Sequence, residues 1–331
     1  SAYELIVRLV GSDVYKRHSE YYLMSSSTSE KNYLPEFFLA CLGYFLFVSQ
    51  DAIVKYIAED YKITQIIFVN SWFALIPVIL YTQTLDGWNK LKGANFKVHF
   101  FRSLTMALAV FFAYTGFYLM PMVTMYSIVF LTPLIITIGS VLFLNEVVRW
   151  KRFTAIIFGL VGALISIDPF GSKIDAYVFV ALLCPLCAAA SYLIVRKYGY
   201  QESIFSFIIY GKILMIIFSG IFVIFSFKTM NFNDLVLNGI SGIFRGTAMI
   251  LVINAARHLP GAIFGSIIYV QIFAGVLLGY IVFGEIPTIN NYVGNAIIIA
   301  AGLYIVMREM KLKKNIVTST ARHPTIPIKK D

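Results

Sequence analysis

The chain has 331 residues, of which 59% are hydrophobic and 13% charged, with a net charge of +10. A soluble domain holds roughly 45–50% apolar and about 25% charged residues, so this balance leaves little room for one and points to the bilayer. The excess of Lys and Arg falls in short loops between apolar stretches, where membrane topology explains it and a nucleic-acid partner does not.

Residues 1–35 form a polar N-terminal tail in which Met24, followed by Ser-Ser-Ser-Thr-Ser-Glu-Lys, reads as a native start. Apolar runs bounded by polar turns then predict ten membrane-spanning helices, at 36–57, 63–82, 100–118, 122–144, 153–167, 175–195, 204–226, 235–255, 261–283 and 289–307. Each is read as one continuous helix. The last segment, 308–331, is a basic tail whose residues from Lys311 onward, with Pro324 and Pro327, are expected to be disordered.

Lys and Arg set the orientation. With the N-terminus in the cytoplasm, 21 of the 27 cations lie on cytoplasmic segments, Arg102 among them. Only Lys62, Lys173 and Lys228 lie outside, and Lys55, Lys212 and Arg245 fall within spans. This positive-inside split predicts two cytoplasmic termini and an even number of spans. His99 and His258 fall at cytoplasmic span ends and are expected to be solvated.

An internal repeat organises the spans. Residues 121–146 open with Pro121 and close with Glu146, and residues 260–285 open with Pro260 and close with Glu285, 25 positions apart in both cases. Five spans per half force the halves into opposite orientations. The predicted fold class is therefore an all-α membrane protein, ten transmembrane helices arranged as two inverted five-helix repeats, at 36–168 and 175–307. Such repeats enclose a midplane substrate site and alternate its access. Gly242 with Gly246, and Gly275 with Gly279, form GxxxG motifs suited to close helix packing.

Charges inside the membrane carry the chemistry. Asp51 lies in span 1, Lys212 in span 7 and Arg245 in span 8; a charge at a helix centre costs roughly 2.5–3.5 kcal/mol and is kept where it faces a protein interior or a wet cavity. Lys55 lies one turn beyond Asp51 on the same helix face, so one is placed to neutralise the other. One reading puts these groups on a substrate cavity, where cations outnumber anions and a carboxylate or phosphate is favoured. The other makes them interhelical pairs, Asp51 with Arg245.

Asn70, Thr132, Asn254 and Gln271 add oriented hydrogen-bonding groups, and Trp72, Tyr114, Tyr126 and Tyr269 are aromatic candidates for stacking on a flat ring or a cation. Pro77, Pro133 and Pro185, inside spans 2, 4 and 6, free backbone carbonyls and are gate candidates. Cys41, Cys184 and Cys187 read as packing residues, and no metal or cofactor is expected. The chain lacks the G-x-x-x-x-G-K-[ST] phosphate loop of ATP-driven pumps.

Ten spans in two halves, Lys55 closing span 1, Arg196 closing span 6, and the two Pro…Glu repeats together resemble the drug/metabolite transporter superfamily, its EamA-type members in particular. Pro133 matches the proline common in the fourth helix of that family's first repeat. The second repeat has Gln271-Ile272 there, and Asn70 stands where many members carry an arginine. Within the family, the stretch 49–55 is similar to S-adenosylmethionine uptake carriers. The resemblance implies secondary transport, by alternating access, of a small zwitterionic or anionic metabolite of amino-acid or nucleoside-amino-acid type. The partners it implies are that substrate, the lipid bilayer, and a coupling ion or exchanged counter-substrate. The candidate substrate residues are Asp51, Lys212, Arg245, Gln271, Asn70, Lys55, Trp72, Tyr126 and Tyr269. Rival readings are an exporter of the same fold and a membrane-embedded enzyme.

Overall fold

In a bilayer every backbone N–H and C=O must find a partner within the protein, and helices supply one locally. The computed structural model describes residues 33–84, 87–91, 95–144, 150–168, 176–198, 202–259 and 261–320, and among them holds helices and no strand. The chain divides into units Ser1–Pro35 and Glu36–Asp331, and only residues 33–35 of the first are described. The helices are α1 (Leu34–Ile57), α2 (Ile63–Thr84), α3 (Phe96–Leu119), α4 (Met122–Val129), α5 (Thr132–Leu144), α6 (Trp150–Ile167), α7 (Ala176–Tyr198), α8 (Ile204–Ile224), α9 (Phe232–His258), α10 (Gly261–Ile267), α11 (Val270–Phe283) and α12 (Ile289–Thr320). Seven segments are long and apolar enough to cross a membrane, Met122–Leu144 counting as one, and Phe153–Ile167 and Val270–Phe283 are shorter apolar helices. The protein is an all-helical, multi-pass membrane protein.

Three expectations need correcting. The fourth and ninth spans are each broken near the middle, giving α4–α5 and α10–α11. Pro133 has no N–H to offer the Val129 carbonyl, and the Thr132 hydroxyl donates to that carbonyl instead, at 2.5 Å. The second break needs no proline: Tyr269, Gln271 and Ile272 donate three residues back, to Ser266, Ile268 and Tyr269, so the turn tightens locally. Second, the basic tail is helical through Thr320, because residues 307–320 contain neither Gly nor Pro and are rich in good helix formers. Third, His99 lies inside α3, 1% exposed, and is not a solvated span end.

Polar side chains start several helices. Asn95, Ser203 and Asn231 each accept a backbone N–H from the first turn of α3, α8 and α9. The helices pack α3 on α7 and α8, α2 on α8 and α9, α6 on α12, α5 on α7, and α4 on α11. Gly242 and Gly246 let α9 approach the backbone of α2, where an added Cβ would stand 2.4 Å from the Asn70 carbonyl and 2.5 Å from that of Ala74. At the α6–α12 crossing the approach is mutual: Gly162 and Gly294 face each other's carbonyls, at 2.8 and 2.4 Å from the added carbon. Beside it, Ser127 bonds Ser166 (2.7 Å) and Asn295 (2.9 Å), and Asn291 donates to the Ser166 carbonyl (2.7 Å).

Gly294→Val should therefore force α6 and α12 apart and cost at least about 1–3 kcal/mol, read as a lowered thermal midpoint in detergent. Gly284→Ala meets open space but stands at φ +66°, and should cost only about 1–2 kcal/mol through backbone strain.

Candidate functional site

One hydrogen-bonded chain crosses the middle of the bundle. The Arg245 guanidinium (α9) donates to the Tyr114 hydroxyl (α3) and stands 5.3 Å from the centre of its ring. Tyr114 donates to Gln50 Oε1 at 2.8 Å, and Gln50 Nε2 donates to Asp51 Oδ1 (both on α1). The other carboxylate oxygen of Asp51 accepts from the Tyr126 hydroxyl (α4) at 2.7 Å. Each donor meets one acceptor in a consistent direction, so cation and anion are linked through neutral groups without touching. Gln50, Asp51, Tyr114 and Tyr126 are all buried. The ring of Tyr126 fits because Gly275 leaves room: a Cβ there would stand 2.6 Å from it.

Lys212 (α8) is 5% exposed, and the charges nearest it, Arg245 and Arg102, share its sign. Arg102 was assigned by the sequence to a cytoplasmic segment; it stands within α3, partly buried, against α8. His99, one turn earlier, bonds Glu202 at 3.0 Å, and the Asn95 amide donates to the same carboxylate at 2.7 Å.

Lys55 does not neutralise Asp51. Its ammonium meets Glu285 at 2.5 Å and the Met120 carbonyl at 2.8 Å. Glu285 also accepts the Met122 amide at 2.8 Å, so it caps α4, whose preceding Pro121 offers no side-chain cap. The left-handed turn at Gly284 directs Glu285 back across the bundle. Near the same end, Gln65 exchanges two hydrogen bonds with the Lys228 backbone (2.6 and 2.9 Å), and Tyr61 donates to Asp234 (2.9 Å).

The two helix breaks face one another. Phe130 and Tyr269, at the break points, stack at 5.4 Å between ring centres. They border an apolar cavity of about 210 Å³ whose walls include Tyr44, Pro133, Phe264 and Gly302. Of the remaining candidates, Asn70 donates to Ser241 at 2.6 Å and ties α2 to α9, and Asn254 accepts from Tyr81 at 2.7 Å. Trp72 is 53% exposed and points away from the interior. Gln271 is partly buried at the start of α11 and makes no side-chain hydrogen bond among the described residues. Pro77 lies against Gly246 in the α2–α9 contact, and Pro185 sits within α7. Glu146, Arg149 and Pro260 lie outside the described residues. The sequence missed Arg102, His99 and Gln50; Arg102 within the predicted span 100–118 and Gln50 beside Asp51 were the available signals, and His99 fell just outside that span.

Comparison with known proteins agrees with this class. Residues 34–167 match the EamA-like transporter family. The chain is 26% identical over 266 residues to an S-adenosylmethionine uptake transporter of Rickettsia bellii, covering 80% of this chain and 90% of that protein. It is 24% identical over 282 residues to the one of Rickettsia conorii (83% and 95%). It is also 26% identical over 255 residues to a riboflavin transporter of Vibrio cholerae (75% and 84%). A solved crystal structure with 15% identity superposes with a TM-score of 0.60 over 83% of this chain and 97% of that one, and so shares the fold. The resemblance to EamA-type drug/metabolite transporters, read from the ordered motifs, thus holds in family and relatives alike.

Glu202 stands outside the spans. Burial pushes its carboxyl up, but the Asn95 amide and the His99 ring together hold it below its ordinary 4.5. Its stabilising contribution is present above that value and lost as pH falls through the lower, folded one. Glu202→Gln should therefore lower the thermal midpoint at neutral pH and flatten its fall below about pH 4.5 in a pH-resolved melt.

Proposed function

We propose that the chain is a secondary carrier of the bacterial inner membrane, moving a small zwitterionic metabolite by alternating access, with S-adenosylmethionine as the first candidate. The observation that carries this reading is the interior array of one anion and several cations, in a bundle whose broken helices border an aromatic-walled cavity. A carboxylate suits Arg245 and Lys212, an ammonium or sulfonium suits Asp51, and an adenine suits the walls formed by Phe130, Tyr269, Tyr44 and Phe264. Relatives named for S-adenosylmethionine uptake support the same choice.

Riboflavin is the second reading, favoured by the relatives named for it. Its flat ring suits the aromatic cavity equally well, but it carries no charge at neutral pH to answer Asp51, Lys212 and Arg245.

Alternation needs two halves. We take these as inverted repeats, 36–168 and 175–307, supported by a symmetry in the packing: exchanging each span with the one five places away leaves α2–α8, α4–α11 and α6–α12 unchanged and maps α3–α8 onto α2–α9. On the orientation set by Lys and Arg, both termini are cytoplasmic and the Lys55–Glu285 tie closes the outer face. The broken spans α4–α5 and α10–α11 cross at the centre, where Pro133 and the tightened turn at Tyr269 would allow rocking.

Asp51→Ala and Arg245→Ala should each lower uptake of labelled S-adenosylmethionine into cells at least about tenfold while membrane levels stay near normal. Normal uptake in both variants would remove these residues from the substrate site. In a thermal-shift panel of the purified chain, S-adenosylmethionine should stabilise the fold and riboflavin should not; the reverse result selects the second reading.

A further inference from the structure

The inward-facing stripe of α3 holds an array of donors with nothing to bind. Arg102 donates Nη1 to the Phe207 carbonyl at 3.0 Å and lies against α8 where Gly211 has no side chain; a Cβ there would stand 2.6 Å from Nη1. That contact fixes the plane of the guanidinium and leaves the Nε–Nη2 edge unused. Nε is buried without a partner among the described residues, and so is the hydroxyl of the neighbouring Ser103, which is 2% exposed. Lys212 follows Gly211 directly, is buried, and makes no hydrogen bond among the described residues. Two cations and a hydroxyl thus stand within the bundle with no anion bonded to them among the described residues; Glu202, which meets the start of α3, is engaged by His99 and the Asn95 amide. Natural proteins rarely leave buried donors unmet unless a ligand meets them.

The geometry points to a carboxylate subsite formed by the Nε–Nη2 edge of Arg102, the Ser103 hydroxyl and the Lys212 ammonium. A planar fork presented edge-on matches the two oxygens of a carboxylate, whereas a tetrahedral phosphate would call on donors in three directions. The subsite lies toward the start of α3 and α8, at the cytoplasmic end on the proposed orientation. Lys212 lies within electrostatic reach of both Arg102 and Arg245. As a substrate site this rests on the transport reading; as an anion site it does not.

The test uses the full chain in lipid nanodiscs with acetate, chloride and inorganic phosphate at matched ionic strength and pH. Acetate should raise the thermal midpoint more than chloride or phosphate. Arg102→Gln should weaken the apparent acetate affinity about tenfold or more, and Arg102→Lys, which keeps the charge but loses the fork, should not restore it. Lys212→Met should raise the midpoint without acetate, by removing an unpaired buried charge, and should also blunt the acetate response. An acetate response unchanged in Arg102→Gln, a phosphate response exceeding it, or a lowered midpoint in Lys212→Met overturns the subsite. If Arg102→Gln fails to accumulate, Lys212→Met and Ser103→Ala decide alone: undiminished acetate responses in both overturn it. Acetate contains no part of a nucleoside, so failure here leaves the uptake of S-adenosylmethionine to its own assay. A failed uptake assay with an intact acetate response sinks the transport reading and keeps the anion site.

Discussion

Taking an ionic side chain out of water costs several kcal/mol, and the bundle meets that cost at its centre with one directed chain of hydrogen bonds. Arg245 gives to Tyr114, Tyr114 to Gln50, and Gln50 to Asp51, which also accepts from Tyr126. Four spans are joined by it. No link is a direct ion pair, so on the proposed reading the carboxylate and the guanidinium can exchange neutral partners for the charged ends of a substrate.

Everything else is arranged with respect to this chain. The helices that carry Tyr126 and Gly275 meet at their breaks, where Phe130 stacks on Tyr269 beside an apolar cavity. Toward one end, Glu285 bridges Lys55 and the Met122 amide and draws the ends of α1 and α11 onto the start of α4. Toward the other, Arg102 Nε and the Ser103 hydroxyl are buried without a partner among the described residues, beside the buried Lys212. On the proposed transport reading, a bundle tied at one end and rich in unpaired donors at the other is one of two alternating states.

The spans were legible in the sequence, because twenty apolar residues between polar turns fit a bilayer and little else. So were Asp51, Lys212 and Arg245, because a charge inside such a run stands out. Hidden was whatever depends on partners far away along the chain. Lys55 seemed destined for Asp51, four residues off, yet its partner is Glu285, 230 residues on. His99 falls just before the predicted span 100–118 and Arg102 in its first turn, so both read as cytoplasmic, whereas the helix begins at Phe96. The break at Tyr269 left no mark, since it arises from three-residue backbone bonding without any proline. Asn70 and Trp72 looked alike as polar or aromatic span residues; packing separated them, one into an α2–α9 tie and the other outward.

A site that opens to one side at a time has a kinetic signature that neither a channel nor an enzyme shares: the exit of one ligand molecule drives the entry of another. Proteoliposomes holding the purified chain and preloaded with unlabelled S-adenosylmethionine should accumulate external labelled S-adenosylmethionine transiently, without nucleotide and without an imposed ion gradient. A chain that binds S-adenosylmethionine yet shows no such counterflow, or shows it only with ATP, would contradict the account.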